Sequence, residues 1–328
     1  MSSASDDPIA LDVHAHLVPV DPAALAGIAG VEWDAARGVI VVDGHTVGVK
    51  ALYDPQGLVR WMDAHHVERA WISAPPPLYR PQLDRQASRA WTHYINAGLR
   101  DLAAQHPGRL APMLHLPLEH PEEAAATAIA CIRDGATRFA APAGGHATPT
   151  FSDASLAPLW EALDRASAFL FLHPGQCCDG RLGAFYLENL LGNPCETTVA
   201  AAHLVFGGVA EKYPRIRFCL AHAGGATAML AGRWQRGWDT ERPGVDRQRE
   251  APRLALRRFY VDSIAHDERA LALAAGVFGD DHVLFGSDWP FPMGLPEPQQ
   301  QLAAVAPALR PKVLRENALP LLQVSGAD

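Results

Sequence analysis

Cysteine is scarce in this chain of 328 residues, which contains only five. None of the five belongs to a CxxC pair, and an odd number does not suggest a disulfide framework. Cysteine therefore points neither to a thiolate metal site nor to cross-links. We expect most of these thiols to be reduced and buried.

Long hydrophobic runs and clusters of positive charge are also absent. No apolar stretch approaches the length of a membrane span, and the first residues, Met1 to Asp7, are small, polar and acidic, unlike a signal peptide. The net charge is -8, without a basic patch, which argues against nucleic acid or an anionic membrane as the main partner. We therefore expect a cytoplasmic protein with a short disordered lead and a small-molecule substrate.

The chain does have enough apolar residues for a large core, since 48% are hydrophobic and 20% charged. Apolar β-like runs alternate with longer segments of helical period, the pattern of a parallel sheet. Strands are predicted at 9–16, 69–75, 110–117, 138–144, 168–175, 217–225, 259–266 and 283–290. Helices are predicted near 55–66, 84–106, 121–134, 155–166, 195–213, 226–237, 267–278, 296–305 and 311–322. Eight such units indicate an α/β protein with a single (β/α)8 TIM-like barrel domain over 1–328.

A segment after the first strand, residues 18–52, interrupts this alternation. It contains the apolar run Gly38-Val39-Ile40-Val41-Val42 followed by an Asp43-Gly44 turn, which predicts short strands joined by tight turns. Because the segment leaves the C-terminal end of the first strand, we expect it to form a small β-rich lid over that end of the barrel.

The first predicted strand ends in two histidines, His14 and His16. Side chains two residues apart project from the same face of a strand, so these imidazoles should lie side by side. Farther along the chain, His173 ends an apolar run and Asp288 follows another. Three histidines and one aspartate make a plausible ligand set for a divalent metal, with a position open for water or substrate.

These four residues fall at the C-terminal ends of predicted strands, where barrel enzymes carry their active sites. His222 ends another predicted strand and should join the same rim. A lone histidine after an apolar run is more often a hydrogen-bonded structural residue. Five polar side chains converging on one face instead indicate a metal centre.

Other residues near the strand ends have less specific patterns. Trp289 and Phe291 are predicted to form an apolar wall for an unsaturated or aromatic substrate, although core residues would look the same. Asp262 and His266 are expected either to orient a ligand through hydrogen bonds or to hold the barrel together. His115 has no partner at a set spacing, so a structural role is expected.

An ordered series of motifs gives the chain a family resemblance. VHAH, FLHPG, LAHAGG, FYVDSIAHD and FGSDWPFP occur in this order. The series resembles the amidohydrolase superfamily, in its branch of metal-dependent nonoxidative decarboxylases like aminocarboxymuconate-semialdehyde decarboxylase. HxH alone is a weak motif, but the series covers roughly residues 9 to 322.

The resemblance implies roles for individual residues. His14, His16, His173 and Asp288 match the ligands of a single divalent ion, usually Zn2+, although this ligand set also accepts Mn2+, Co2+ or Fe2+. His222 matches a histidine that activates metal-bound water or moves a proton. Arg233 matches an arginine that reaches a substrate carboxylate across a dimer interface, which implies a homodimer; a surface salt bridge is the alternative for this residue.

Two departures from the family pattern concern the substrate. Where relatives have a carboxylate-binding arginine in the β insertion, this chain has only Lys50 close by, so the carboxylate clamp is altered. Where relatives have Pro-Trp after the strand-five histidine, this chain has Pro174-Gly175, and the loss of a ring should enlarge or reshape the pocket. The muconate semialdehyde is therefore not expected to be the substrate.

The resemblance predicts decarboxylation of a small unsaturated or aromatic carboxylic acid, with His222 and Asp288 as candidates for proton transfer. The same metal and residues would also suit hydrolysis or hydration of a lactone, an amide or a ring-cleavage product. A noncatalytic metal-binding barrel is a third class, disfavoured because a structural zinc needs no general base beside it.

Overall fold

Parallel strands and helices alternate along the chain in the computed structural model, which describes residues 7–145, 148–177 and 179–324. The strands are β1 (Asp12–His16), β2 (Val31–Asp34), β3 (Val39–Val42), β4 (His45–Thr46), β5 (Ala70–Ser73), β6 (Leu110–Pro112), β7 (Leu114–His115), β8 (Arg138–Pro142), β9 (Phe169–His173), β10 (Arg217–Leu220), β11 (Tyr260–Asp262) and β12 (Val283–Leu284). The helices are α1 (Pro22–Leu25), α2 (Pro55–Ala64), α3 (Arg85–Ala104), α4 (Pro121–Arg133), α5 (Ala157–Arg165), α6 (Asn193–Phe206), α7 (Val209–Lys212), α8 (Thr227–Asp239), α9 (Pro252–Ala255), α10 (Glu268–Phe278), α11 (Pro298–Gln301), α12 (Arg310–Leu314) and α13 (Leu319–Val324).

The parallel strands close into a (β/α)8 barrel, as the sequence predicts. β1, β5 and β6 pair in that order, and β7 to β12 form a second parallel run. Two hydrogen bonds join these runs: Met113 N–H donates to the Ile72 carbonyl at 2.8 Å, and Val13 N–H donates to the Phe285 carbonyl at 3.0 Å. β6 and β7 are therefore one interrupted strand, and β1 lies beside β12.

Alternation along β9 shows how the apolar run becomes a barrel wall. Phe169, Phe171 and His173 share one face, and Phe169 packs edge-on against Trp71 of β5 with ring centroids 4.8 Å apart. Leu170 and Leu172 belong to the other hydrophobic cluster, which includes residues of the surrounding helices. This register places His173 at the end of the face that Phe171 occupies.

The predicted insertion contains a three-stranded antiparallel sheet, β2-β3-β4. A buried arginine in the loop after β5 ties this sheet to the barrel, because Arg80 pairs with Asp43 at 2.6 Å and donates to the Ala29 carbonyl at 2.8 Å. This arginine holds the pKa of Asp43 below its usual value. Gly30 is required here, since a β carbon would lie 2.4 Å from an Asp43 oxygen.

Several helices differ from their predicted extent. The segment predicted as a helix over 296–305 has only the single turn α11, and the segment over 195–213 divides because Gly208 adopts φ 68° between α6 and α7. The terminal segment over 311–322 likewise forms two short helices, α12 and α13. No helix in the described ranges is long and apolar enough to cross a membrane. The predicted lead, apart from Asp7, lies outside the described residues.

Candidate metal centre and active site

Four side chains meet at the C-terminal end of the barrel. His14 and His16 end β1, His173 ends β9, and Asp288 follows β12; all four are buried. One nitrogen or oxygen from each lies within 4.8 Å of the others. The structure thus brings together the four residues that the sequence predicted as metal ligands.

The outer nitrogen of each histidine ring has an acceptor. The Nδ1 atoms of His14, His16 and His173 lie 2.7 Å from Asp262 Oδ2, 3.1 Å from Ser73 Oγ and 2.9 Å from the Pro174 carbonyl oxygen, respectively. A proton on Nδ1 leaves the Nε2 lone pair free for a metal.

The inner atoms have the environment that a metal ion would require. The Nε2 atoms of His14 and His16 are 3.1 Å apart, and each is 3.2 Å from Asp288 Oδ1. His173 Nε2 is buried without a hydrogen-bond partner among the described residues. Three imidazoles and a carboxylate around one point fit a divalent ion of the zinc or manganese type.

Burial and mutual charge set the protonation of this cluster. Burial alone would lower the pKa of His14, but the Asp288 and Asp262 carboxylates outweigh it and raise the pKa to about 10. Burial lowers the pKa of His16 and, more strongly, that of His173. Burial opposes ionisation of Asp288, but His14 and His16 together outweigh it and hold the pKa of Asp288 well below its usual value. The buried carboxylates of Asp288 and Asp262 thus favour the protonated form of His14.

Asp262 supports both the ligand cluster and the loop that carries His222. Besides accepting from His14, its carboxylate accepts from the backbone N–H groups of His222 at 2.9 Å and Ala223 at 2.8 Å. Of the two roles predicted for Asp262, the structure contains the hydrogen bond that would orient a ligand.

A second buried carboxylate, Asp12, was not singled out from the sequence. It accepts hydrogen bonds from His14 N–H at 2.9 Å and Ser287 N–H at 3.0 Å, which joins β1 to the loop after β12. Burial raises the pKa of Asp12 to about 6. Its position two residues before His14, on the same strand face, was the available signal.

The loop that carries Asp288 depends on close packing of glycine. Asp288 has φ 55°, and its N–H donates to the His14 carbonyl at 2.7 Å. A β carbon on Gly286 would lie 2.9 Å from the β carbons of His14 and Asp262. The glycine in FGSD thus allows β12 to approach the ligand strand.

His222 lies beside the cluster, also in a left-handed backbone conformation, with φ 55°. Its ring centroid is 5.1 Å from that of His173, and its Nε2 is 4.0 Å from Asp288 Oδ2. Burial, reinforced by the charge of His14, lowers the pKa of His222, so a neutral imidazole faces the cluster. A neutral imidazole can accept a proton or, once protonated, donate one.

A cavity of about 360 Å³ opens onto His222 and Asp288. Its wall is mainly apolar and includes Ile264, Leu273 and Met293. Asn189 and Asn193, in and just after the π-helical turn that precedes α6, also line it. This cavity is the natural place for a small organic ligand that must reach the ligand cluster.

The predicted substrate contacts lie at different distances from this centre. The Phe291 ring centroid is 5.5 Å from that of His16, and Trp289 is partly buried in the same loop, where its carbonyl accepts from His16 N–H at 2.8 Å. Lys50 is exposed and its Nζ lies 3.4 Å from the Gly38 carbonyl. Arg233 is exposed on α8. Neither Lys50 nor Arg233 is among the described residues that line the cavity.

Tyr79 was missed by the sequence reasoning. Its ring stacks on His115 with centroids 5.2 Å apart, and a β carbon on Gly175 would lie only 3.2 Å from Tyr79 Cδ2. Tyr79 and Gly175 thus line one side of a small cavity near His173. No spacing signal identified Tyr79, because it lies in a loop.

The chain is similar to known proteins over nearly its whole length. A family model described as Amidohydrolase matches residues 11–324. The chain is 26% identical over 276 residues to a 2-amino-3-carboxymuconate-6-semialdehyde decarboxylase from Dictyostelium discoideum, covering 82% of this chain and 77% of the relative.

Two solved structures share the fold. A 5-carboxyvanillate decarboxylase from Sphingomonas paucimobilis superposes with a TM-score of 0.81 at 17% identity, covering 97% of this chain and 99% of the other. A dihydroxybenzoic acid decarboxylase from Polaromonas, with bound manganese and the inhibitor 2-nitroresorcinol, gives a TM-score of 0.78 at 21% identity, covering 98% of each chain.

Proposed function

The chain belongs to the amidohydrolase family, and from this premise we propose that it is a metal-dependent nonoxidative decarboxylase, a carboxy-lyase acting on a small unsaturated or aromatic carboxylic acid. The observation that carries the proposal is the convergence of His14, His16, His173 and Asp288 beside His222 and an apolar cavity. The decarboxylase names of the relative and of both structural neighbours support this reaction class.

The four converging side chains would hold one divalent ion. Zn2+ is our first choice because the ligands are mostly imidazole, while Mn2+, Co2+ and Fe2+ fit the same set. Manganese in the Polaromonas structure supports a divalent ion of this kind. When bound, the ion would polarise a substrate oxygen and so draw electron density away from the carbon that loses CO2.

His222 and Asp288 would manage the proton that decarboxylation requires. The bond from the ring or alkene carbon to the carboxylate breaks, and a new C–H bond forms at that carbon. His222 lines the cavity, and its Nε2 lies 4.0 Å from Asp288 Oδ2. It would take up a proton from solvent water and donate that proton to the carbon as CO2 leaves. Asp262 fixes this geometry through the backbone of His222.

The cavity would orient the organic part of the substrate. A flat, uncharged ring suits the wall that contains Ile264, Leu273 and Met293, with Phe291 near the cluster. An apolar surrounding also favours the reaction, because the anionic carboxylate departs as neutral CO2.

A homodimer is the proposed assembly, with Arg233 serving the neighbouring subunit. Arg233 is exposed and does not line the cavity of its own chain in the described structure. The same helix exposes the apolar side chain of Met229, and Leu190, Leu254 and Leu273 are also exposed. A guanidinium supplied from outside would suit a carboxylate at the open cavity. A cytoplasmic location stays a prediction from the sequence.

Turnover with metal-loaded protein tests the proposal directly. A panel of hydroxybenzoates, muconates and lactones is incubated while product mass and released CO2 are followed. Loss of 44 mass units per molecule, about the mass of CO2, is expected for a decarboxylase; it should vanish in His222→Asn while bound metal is retained. Gain of water without CO2 would instead establish hydrolysis or hydration. Ligand binding unaffected by His222→Asn, without turnover, would indicate a noncatalytic barrel.

A further inference from the structure

The charge of the cavity wall restricts the substrate further. The wall includes the amides of Asn189 and Asn193 and several apolar side chains, but no lysine or arginine is among its described residues. His222 and His266 are the described lining side chains that could become positive. Away from Asp288 and these two histidines, a substituent in this cavity therefore meets neutral side chains and apolar surface.

Three basic residues in loops of the chain bond to groups outside this cavity. Arg80 is buried against Asp43 and the Ala29 carbonyl, so its guanidinium is committed to the insertion. Arg181, in the loop after β9, pairs with Asp179. Lys50 lies at the Gly38 carbonyl. None of these three lines the cavity in the described structure.

Among the described residues, positive charge in this cavity would then come only from the ligand cluster, from His222 or His266 when protonated, and from Arg233 if a partner subunit supplies it. A metal ion and Arg233 from a partner subunit would serve the carboxylate that departs. A second carboxylate on the substrate would lose its hydration against the wall without gaining a counter-charge, which is unfavourable. Hydroxyl or carbonyl substituents could instead bond to the asparagine amides.

We infer that the enzyme selects monocarboxylic acids whose ring or chain bears only neutral polar substituents, with Asn189 and Asn193 as specificity-determining residues. The inference rests on the proposed decarboxylase function. Structural similarity to the two decarboxylases does not decide how many carboxyl groups the substrate has, because 5-carboxyvanillate has two whereas dihydroxybenzoic acid has one. The cavity wall of this chain favours the second class.

Matched substrate pairs test the inference. Hydroxybenzoates are compared with the hydroxybenzenedicarboxylates that carry one more carboxylate, by CO2 release and, separately, by calorimetric binding to metal-loaded protein. We expect kcat/KM and affinity to fall at least about tenfold for each dicarboxylate. Dicarboxylates that bind or react as well as their partners would overturn the inference and leave decarboxylation intact. Discrimination in binding without any CO2 release would overturn the proposed reaction instead and keep the charge selectivity.

A gain-of-charge variant tests the cavity wall itself by changing the protein while the substrates stay the same. Asn189→Lys places an ammonium in the cavity wall, and we expect it to shift the dicarboxylate-to-monocarboxylate ratio at least about tenfold toward the dicarboxylate. The control is Gln105→Lys, which adds the same charge at an exposed position after α3, at the other end of the barrel. Equal melting temperatures and metal contents establish that both variants are folded. An unchanged ratio in Asn189→Lys would contradict the role of the neutral wall.

Discussion

Each hydrogen-bond partner of the Asp262 carboxylate in the described structure can act as a donor. Oδ2 faces His14 Nδ1 and His222 N–H, while Oδ1 accepts from Ala223 N–H and from Ile264 N–H at 3.1 Å. If asparagine replaced Asp262, its amide nitrogen would take the place of one carboxylate oxygen and would face a hydrogen-bond donor. Asp262→Asn should lower metal affinity about 10- to 100-fold, since it misplaces a ligand ring.

Chelator competition measures this loss of affinity. The matched control is Asp281→Asn, because Asp281 is exposed and bonds only the outer ring nitrogen of His282 in the described structure. That variant should keep wild-type metal affinity. Unaltered affinity in Asp262→Asn would show that His14 is oriented without its carboxylate partner.

His115 should make the fold sensitive to acid. Burial lowers its pKa to about 4, whereas an unfolded histidine has a pKa near 6.5. Between these values the unfolded chain binds more protons, so stability is fully present above about pH 6.5 and is lost as the pH falls toward 4. The full effect is about 3 kcal/mol.

Urea unfolding at pH 7.5 and at pH 5 measures this dependence. His115→Phe keeps a ring against Tyr79 and removes the titrating group, so the difference in unfolding free energy between the two pH values should shrink. His93→Gln, at an exposed position of α3, should leave that difference unchanged. A His115→Phe variant with the wild-type pH dependence would contradict the assignment.

At the scale of elements, the insertion depends on one buried arginine. Arg80 joins the β2-β3-β4 sheet to the barrel through Asp43, and its guanidinium lies 5.2 Å from the centre of the Trp91 ring. Asp43→Ala leaves this charge buried without its carboxylate and should destabilise the protein by about 3 kcal/mol.

Thermal and urea unfolding measure the change. Asp34→Ala is the comparison within the same sheet, because Asp34 pairs with the exposed side chain of Arg37. That exposed pair should contribute much less than the buried pair, because solvent screens it. Equal losses in the two variants would mean that burial of Arg80 does not set the strength of the attachment.

The elements that the sequence predicted best are those with a clear apolar run or a clear start signal. β9 alternates in a way that fixes the face of His173, and Asp54-Pro55 starts α2 where a capping carboxylate and a proline indicate it, with Asp54 Oδ1 accepting from Gly57 N–H at 2.8 Å. The segment over 296–305 has fewer local constraints, and only one helical turn forms there.

The ligand cluster could be predicted because its residues lie at strand ends, which apolar runs in the sequence indicate. The unpredicted parts depend on loops and on pairs far apart in the chain. Asp12 meets Ser287 across 275 residues, and Tyr79 reaches His115 from a loop that has no period. The residue types at the strand ends were enough to predict the chemistry of the centre. The contacts that support it could be identified only once the folded barrel showed which distant residues meet.

At the scale of the whole molecule, each active site is expected to combine residues of two subunits. A symmetric dimer uses the same surface twice, so an arginine that leaves one site must enter the other. Arg233→Ala and His222→Asn should therefore each inactivate the homodimer. In a heterodimer of these two variants, one site regains both residues and the other loses both.

Heterodimers purified through two different tags should thus show about half of the wild-type activity. Arg236→Ala is the control for helix α8, because Arg236 is also exposed one turn farther along and should be dispensable. If Arg233 instead acted within its own chain, the heterodimer would have no complete site, since each subunit would lack one of the two residues. Activity in the heterodimer would then be absent. A structural surface role for Arg233 would be recognised separately, because the Arg233→Ala homodimer would itself stay active.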